Sequence, residues 1–322
     1  MIKIGIYGDN GHQITAEIQK NPEINAVIIA EACCKNEGKT GGIIYNSLDE
    51  MLENDEIELV SLCSPDRRGQ AENAIKCLNA GKHVYAEKPC AFTLKEIEDI
   101  KEAAEKNNRQ FHEMAGTVFA YPYFEMMQEI RNGEIGVVIN ATVQKSYPLL
   151  INTRPQDEGV DGGLTLQVGI HAMRMIEHMT GLQITDIAAF ETGLGNPENG
   201  DLKTAVSFSM VLENGATAAA VANYLNPKTA LKKHGYECVR IFGDKGMIET
   251  LDGAKSARIV YNNGEIREIN PSGIFKSYLS QYIDALTNNT KMPFSFEEEL
   301  HPLKALIKAK EYISNYQGRN KI

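Results

Sequence analysis

His83-Val84-Tyr85-Ala86-Glu87-Lys88-Pro89 reads as a short strand that ends in a lysine held between a glutamate and a proline. Pro89 restricts the residue before it to extended geometry, so Lys88 cannot open a helix and its amine projects from the strand's end. Upstream, Gln70 to Ala80 reads as a helix stopped by Gly81, a residue suited to the left-handed turn that closes helices. A helix feeding such a strand belongs to a parallel sheet, where ligands bind beyond the carboxyl ends of the strands.

The same alternation runs through the first third of the chain. Candidate strands are Ile2 to Tyr7, Ala26 to Ala32, Leu59 to Cys63, His83 to Glu87 and Gln110 to Ala115. Between them, Ser47-Leu48-Asp49-Glu50 resembles a capping box opening a helix through Leu52, and a further helix is predicted from Thr93 to Asn107. Strands alternating with helices predict a doubly wound, Rossmann-like parallel sheet. From about residue 135 the pattern changes. Glu213-Asn214-Gly215, Gly243-Asp244-Lys245-Gly246 and Asn263-Gly264 each separate two apolar runs, which predicts antiparallel hairpins. Two amphipathic helices close the chain, one with Phe275, Tyr278, Leu279, Tyr282, Ile283 and Leu286 at helical spacing, the other from Pro302 to about Asn315. The division is a Rossmann domain over 1–120 and an α+β substrate and oligomerisation domain over 121–322.

Composition removes several classes of function. With 322 residues, 43% hydrophobic and 24% charged, the chain suits two globular domains. Its net charge of -10 argues against a nucleic-acid partner, which calls for a basic stripe. The six cysteines (33, 34, 63, 77, 90, 238) form no Cys-x-x-Cys pair and read as reduced core residues of a cytoplasmic protein. Met1 to Ile6 reads as a strand rather than a signal peptide, and no apolar run approaches about 18 residues, so no membrane span is expected. No metal site is predicted.

A phosphate loop is expected after the first strand, at Gly8-Asp9-Asn10-Gly11-His12. A full dinucleotide fingerprint needs three glycines, and here only Gly8 and Gly11 fit. Asn10 replaces the middle glycine if it adopts left-handed geometry, which Asn tolerates better than most residues. An ordinary strand-to-helix turn explains the loop equally well by itself. The acid that binds ribose hydroxyls should stand about 20 residues further on, and Glu31 is the candidate. A strand extended to Cys34 instead puts Cys34 and Lys35 at its end. Glu31 favours NAD and Lys35 suits a 2′-phosphate; the preference here is NAD over NADP.

The second constellation is Gly162-Gly163-Leu164-Thr165-Leu166-Gln167-Val168-Gly169-Ile170-His171-Ala172-Met173-Arg174-Met175-Ile176-Glu177-His178. Read as one helix, it puts Gln167, His171, Arg174 and His178 on one stripe of a mostly apolar cylinder. A polar stripe on a buried helix implies a cavity or a hydrogen-bonded interface. Gly169 costs about 1 kcal/mol relative to alanine in a helix, so something approaches its backbone closely. A lone buried histidine is more often a hydrogen-bonded core residue; Lys88 and the glycine loop shift that balance.

Gly8-x-x-Gly11 after the first strand, Ser64-Pro65 after the third, Ala80-Gly81-Lys82-His83-Val84 leading to Glu87-Lys88-Pro89, Gly133-Glu134-Ile135-Gly136, Gly162-Gly163 with His171, Ile241-Phe242-Gly243-Asp244-Lys245-Gly246 and Met292-Pro293 resemble the Gfo/Idh/MocA oxidoreductases. The resemblance covers nearly the whole chain. It implies an NAD(P)-binding Rossmann domain joined to a domain with a large open antiparallel sheet, used for homodimer or homotetramer contacts. It also implies hydride transfer between NAD(P) and a hydroxyl or carbonyl carbon of a sugar, inositol or related polyol. On this resemblance Gly8, Asp9, Asn10, Gly11, His12, Glu31, Ser64, Pro65, Glu87 and Lys88 bind the cofactor. Lys88 stands near nicotinamide and substrate, and His171 is the catalytic histidine.

The departures are as informative. Gln167 and Arg174 stand where many members carry aspartates, four residues before and three after the histidine. Gln167 can orient a hydroxyl but accepts no proton, and Arg174 suits an acidic sugar or a salt bridge. Gly69 replaces the histidine usual four residues after Pro65, and Phe119-Ala120-Tyr121 lacks the arginine usual before Pro122. Lys145, Tyr147 and Arg154 lie where the family often places substrate contacts, though each also reads as a surface residue. Two other functions remain open on this reading: a redox-neutral enzyme that retains NAD for glycoside cleavage or epimerisation, and a non-catalytic binding protein.

Overall fold

The computed structural model describes residues 1–316 apart from 36, 37, 39, 151–153, 199, 228–234, 274 and 275. Two compact units emerge, one of Met1–Gly116, Gly159–Asp161 and Lys276–Leu300, the other of Thr117–Glu158, Gly162–Phe275 and His301–Ile322.

In the first unit, β1 (Ile2–Tyr7), β2 (Ala26–Ala32), β3 (Ile43–Tyr45), β4 (Leu59–Leu62), β5 (His83–Ala86) and β6 (Phe111–Glu113) form one sheet in the order β3-β2-β1-β4-β5-β6. Every pairing is parallel. β4 is buried along its whole length, as a strand covered on both faces must be. Helices Gln70–Asn79 and Leu94–Lys106 are amphipathic crossovers. Thr93 and Glu96 close a full capping box on the second of them. At Ser47 the box is half built. Its hydroxyl accepts the Glu50 N–H at 3.1 Å, but the Glu50 carboxylate takes the Asn46 N–H instead. Strand β3 escapes the sequence pattern because it is a three-residue edge with Ile43 57% and Ile44 51% exposed.

The division at residue 120 assigns all of the C-terminal part to the second domain, whereas residues 276–300 pack with the first unit. Helix Tyr278–Asn288, capped by Ser277, sends the Tyr282 hydroxyl to the Gln110 carbonyl at 2.9 Å. Phe275, placed on this helix by its spacing, lies outside the described residues.

The second unit carries β7 (Val138–Ser146), β8 (Ile184–Thr192), β9 (Ala205–Leu212), β10 (Thr217–Asn223), β11 (Tyr236–Gly243), β12 (Gly246–Leu251), β13 (Ser256–Tyr261) and β14 (Ile266–Ile269), in the order β14-β13-β12-β11-β7-β10-β9-β8. All three turn signals fall between paired antiparallel strands. One pair departs from the meander: β7 and β10 run parallel, making the sheet mixed. The connection after β7 passes through helices Gly163–Gln167 and Gly169–Thr180 before returning by β8 and β9, which delivers β10 to β7 in the parallel sense. Strands β9 and β10 alternate buried and exposed residues, so one face of the sheet is packed and the other is open.

The last helix begins at Phe296, ahead of the predicted Pro302. Ser295 and Glu298 exchange hydrogen bonds at its start. Pro302 therefore sits inside the helix, where its missing N–H removes one intrahelical bond. Among the described residues no helix is long and apolar enough to cross a membrane.

Candidate active site

In the first unit, β1 lies between β2 and β4. Strand order reverses there, and sheets of this kind bind ligands in the crevice beyond the reversal. Gly8 follows β1 at φ +68, and a Cβ on it would lie 2.1 Å from the Cys63 carbonyl oxygen. Gly11, at φ +121, would press a Cβ to 2.7 Å from Glu87 Cγ. Only glycine fits either position. Asn10 is no glycine substitute, since its φ is not positive. Its amide instead donates to the carbonyls of Pro65 and Val160, each at 3.0 Å, and its own carbonyl accepts from Arg67 Nη2. Gln13 closes the turn by donating to the Gly8 carbonyl at 2.6 Å. Ile14 provides no side-chain cap for helix Thr15–Lys20, and its own N–H donates to Gln13 Oε1 at 3.3 Å. A glycine-forced turn and an uncapped helix start beside a strand-order reversal fit a dinucleotide pyrophosphate.

Around this loop, Asp9 Oδ2 accepts the Lys35 N–H at 2.9 Å. β2 stops at Ala32 and Cys33 turns to φ 55, so the strand does not extend to Cys34. Glu31 is buried and accepts from the Gly38 N–H and from Thr40 Oγ1. Ser64 is buried after β4, its N–H donating to Gln70 Oε1 at 2.9 Å and its hydroxyl accepting from Asn73.

Glu87 and Lys88 follow directly on β5, 1% and 5% exposed, with Lys88 Nζ 3.9 Å from Glu87 Oε1. His12 Nδ1 reaches the same oxygen at 3.4 Å. Burial alone would raise the Glu87 carboxyl, but the His12 hydrogen bond and the charges of Lys88, His12 and Arg67 hold it below the usual carboxylate range. The Lys88–Pro89 bond is cis. One residue further, the Cys90 N–H donates at 2.7 Å to Oε1 of Glu113, a fully buried acid at the end of β6. Glu113's own N–H is held at 2.5 Å by Glu299, which also takes His112 Nδ1 and the Tyr278 hydroxyl.

The second unit holds the other candidate residues. The single helix read over 162–178 is two, broken at Val168. A Cβ on Gly169 would lie 3.1 Å from Phe208 of β9 and 3.2 Å from Leu306 of the last helix. Gln167 ends the first helix and is half-buried. His171 is half-buried, whereas Arg174 and His178 lie in the core at 0% and 2% exposure. Thr117 Oγ1 lies 3.0 Å from His171 Nδ1. Tyr147 meets the imidazole edge-on with ring centres 6.2 Å apart. Lys145 lies 4.7 Å over the Tyr147 ring and pairs with Glu237. Arg154 spreads its guanidinium over Tyr224 at 4.5 Å and Tyr147 at 5.9 Å.

Thus Lys145, Tyr147, Arg154 and His171 form one cluster, and the loop residues with Ser64, Pro65, Glu87 and Lys88 form another. Sequence reasoning missed Arg67, Gln70 and Glu113 in the loop cluster, and Thr117, Glu237 and Tyr224 in the cluster around His171. Only burial distinguishes them from ordinary polar residues; the sole signal was a glutamate inside the apolar run Phe111 to Ala115. Among the described residues no three His, Cys, Asp or Glu side chains are placed to hold a metal ion.

Fold and loop define a Rossmann-type dinucleotide-binding unit. An oxidoreductase family model with an NAD-binding Rossmann fold matches residues 12–114, and a GFO/IDH/MocA C-terminal domain matches residues 123–249. The chain belongs to the Gfo/Idh/MocA family. It is 30% identical over 222 residues to the uncharacterised oxidoreductase YrbE of Bacillus subtilis, a match covering 63% of this chain and 58% of that protein. To myo-inositol 2-dehydrogenase of Thermotoga maritima it is 28% identical over 214 residues, 63% of this chain and 59% of the relative. Both alignments span less than two thirds of those relatives. A solved oxidoreductase structure from Thermotoga maritima superposes with a TM-score of 0.87 at 23% identity, covering 98% of this chain and 99% of the other.

Proposed function

We propose that the protein transfers a hydride between NAD and a hydroxyl or carbonyl carbon of a sugar, inositol or related polyol. The observation that carries this reading is the buried Glu87–Lys88 pair that follows β5 beside a glycine-forced turn. The likeness to an inositol dehydrogenase supports the substrate class. Gly8, Asp9, Asn10, Gly11, His12, Ser64 and Pro65 would hold the dinucleotide, with Glu31 supporting its loop. Asp9 and Glu31 put negative charge at the end of β2, which disfavours a 2′-phosphate and so NADP. The cofactor, when bound, supplies or takes the hydride.

The protein's own work is to hold the reacting carbon and to move one proton on its oxygen. Lys88 and His171 are the proposed proton-handling groups. Thr117 at Nδ1 fixes the ring's orientation. Gln167, unable to accept a proton, orients the substrate; it is also the residue that favours a binding-only reading, which steady turnover would exclude.

The test is titration with NADH and NADPH by cofactor fluorescence, since the chain has no tryptophan, followed by turnover of a polyol panel by the wild type and Lys88→Ala. NADH should bind more tightly than NADPH. Lys88→Ala should lose at least about 100-fold in kcat, the usual range for a positioned proton-transfer group, with NADH still bound. Failure of both nucleotides to bind would remove the enzymatic reading, and full activity in the variant would remove the role of Lys88.

A further inference from the structure

The second unit's cluster contains a cation that lacks a counter-charge. Lys145 is 7% exposed and neutralised by Glu237. Arg154 has no ion pair among the described residues; its guanidinium rests on the faces of Tyr224 and Tyr147. Its Nε is buried without a hydrogen-bond partner. An unmet donor of a charged group is costly to bury, and aromatic faces stabilise the charge without satisfying its N–H bonds. A second unmet group stands in the same cluster. The Tyr123 hydroxyl, on a side chain 7% exposed, also lacks a partner. Burial, then the nearby charges of Glu237, Tyr147 and Cys238, raise its pKa, so it stays protonated and remains a donor.

Arg154 is linked to the candidate catalytic histidine through one ring. Tyr147 lies under Arg154 on its face and meets His171 on its edge, each about 6 Å from its centre. A ligand reaching from His171 past Tyr147 therefore ends at a planar cationic fork. Guanidinium forks pair best with carboxylate and phosphate, through two parallel hydrogen bonds. One uncompensated positive charge matches a monoanion. Arg174, the cation that the sequence offered for an acidic sugar, is wholly buried in the core, and the role falls to Arg154.

We infer that Arg154 is a carboxylate-recognition residue and that the substrate is an acidic polyol of the sugar-acid class rather than a neutral one. This rests on the dehydrogenase reading for its substrate class, but binding can be read without turnover. The experiment is isothermal titration of the full chain with a hexuronate, the matching neutral hexose and the hexose 6-phosphate, on the wild type, Arg154→Gln and Arg154→Lys. Thermal unfolding of each variant checks that it folds. NADH titration runs in parallel.

The hexuronate should bind about 10-fold or more tightly than the neutral hexose, the scale expected of a charge-assisted hydrogen-bond pair. That ratio should collapse towards one in Arg154→Gln and recover in part in Arg154→Lys, which keeps the charge without the fork. Equal affinity for hexuronate and hexose, tighter binding of the phosphate, no binding of any of the three, or a ratio unchanged in Arg154→Gln would each overturn the assignment. NADH binding without a hexuronate preference removes the carboxylate site and leaves the dehydrogenase. Hexuronate binding without nucleotide binding does the reverse.

Discussion

Replacing Gln70 with leucine tests whether the ends of β4 and β5 are held by one side chain. Gln70 is fully buried. Its Oε1 accepts the Ser64 N–H at 2.9 Å, and its Nε2 donates to the carbonyls of Leu62 at 3.2 Å and Glu87 at 2.6 Å. The Leu62 carbonyl keeps the Glu87 N–H at 2.8 Å, so the substitution leaves two groups without partners, the Ser64 N–H and the Glu87 carbonyl. Each unmet buried backbone group costs about 1–3 kcal/mol, and leucine keeps the volume nearly constant, so about 2–6 kcal/mol is expected, with the lower end if water enters. With a denaturant slope of about 3 kcal/mol per molar in urea, the upper end for a chain of this size, the midpoint should fall by roughly 1–2 M. Tyrosine fluorescence reads the transition. Hydrogen exchange of the peptides covering Ser64 and Glu87 should accelerate more than that of β9 or β10 in the other unit. A midpoint within about 0.2 M of the wild type, or exchange altered equally in both units, would refute the clamp.

Acid should weaken the fold through His83, whose Nδ1 accepts the Gln110 N–H at 3.0 Å. Burial, then the charge of Arg109, push its pKa down to about 4, below the unfolded value of about 6.5; its contribution is complete above 6.5 and is lost as pH falls towards 4. Thermal midpoints of the wild type should therefore drop over that window more steeply than those of His83→Gln, and parallel curves would remove His83 as the cause. The open face of the mixed sheet, with Val211 39% and Val221 37% exposed, is the surface we propose for pairing with a second copy. Val221→Glu should shift the mass measured by light scattering towards the monomer, and a monomeric wild type would refute the interface.

The parallel sheet was legible because its strands are continuous apolar runs and its helices carry caps and glycine stops, signals that act over a few residues. The hairpins of the second unit were legible for the same reason. What failed needed distant partners. No local pattern announces β3, because an exposed three-residue edge has neither alternation nor burial. Beside the break at Val168, Phe208 and Leu306 crowd Gly169, and the sequence showed only that some close approach occurs there. Asn10 was read for its backbone tolerance, but carbonyls at Pro65 and Val160 decide its conformation. Lys88, His171 and the two loop glycines were visible as motif residues. Arg67, Gln70 and Glu113 were not, since a polar residue reveals a structural role only once its burial is known.

That asymmetry follows from what each class of residue does. A group that meets cofactor or substrate is restricted by chemistry, so its type and its place at a strand's end identify it. A group that holds such a residue in place is restricted only by geometry. Glu113 shows the difference. Its carboxylate fixes the Cys90 N–H, two residues beyond Lys88, while its own N–H is held by Glu299, which also engages His112 and Tyr278. An asparagine or a water could satisfy the Cys90 N–H as well, so nothing in the pattern of the chain singles the glutamate out. With 0% and 1% exposure, neither Glu113 nor Glu299 is screened by solvent, and removing either leaves buried donors unmet. The order of the Lys88 turn thus depends on Glu299, more than 200 positions away from it in the chain, and this dependence is what a local reading of Glu87-Lys88-Pro89 cannot contain.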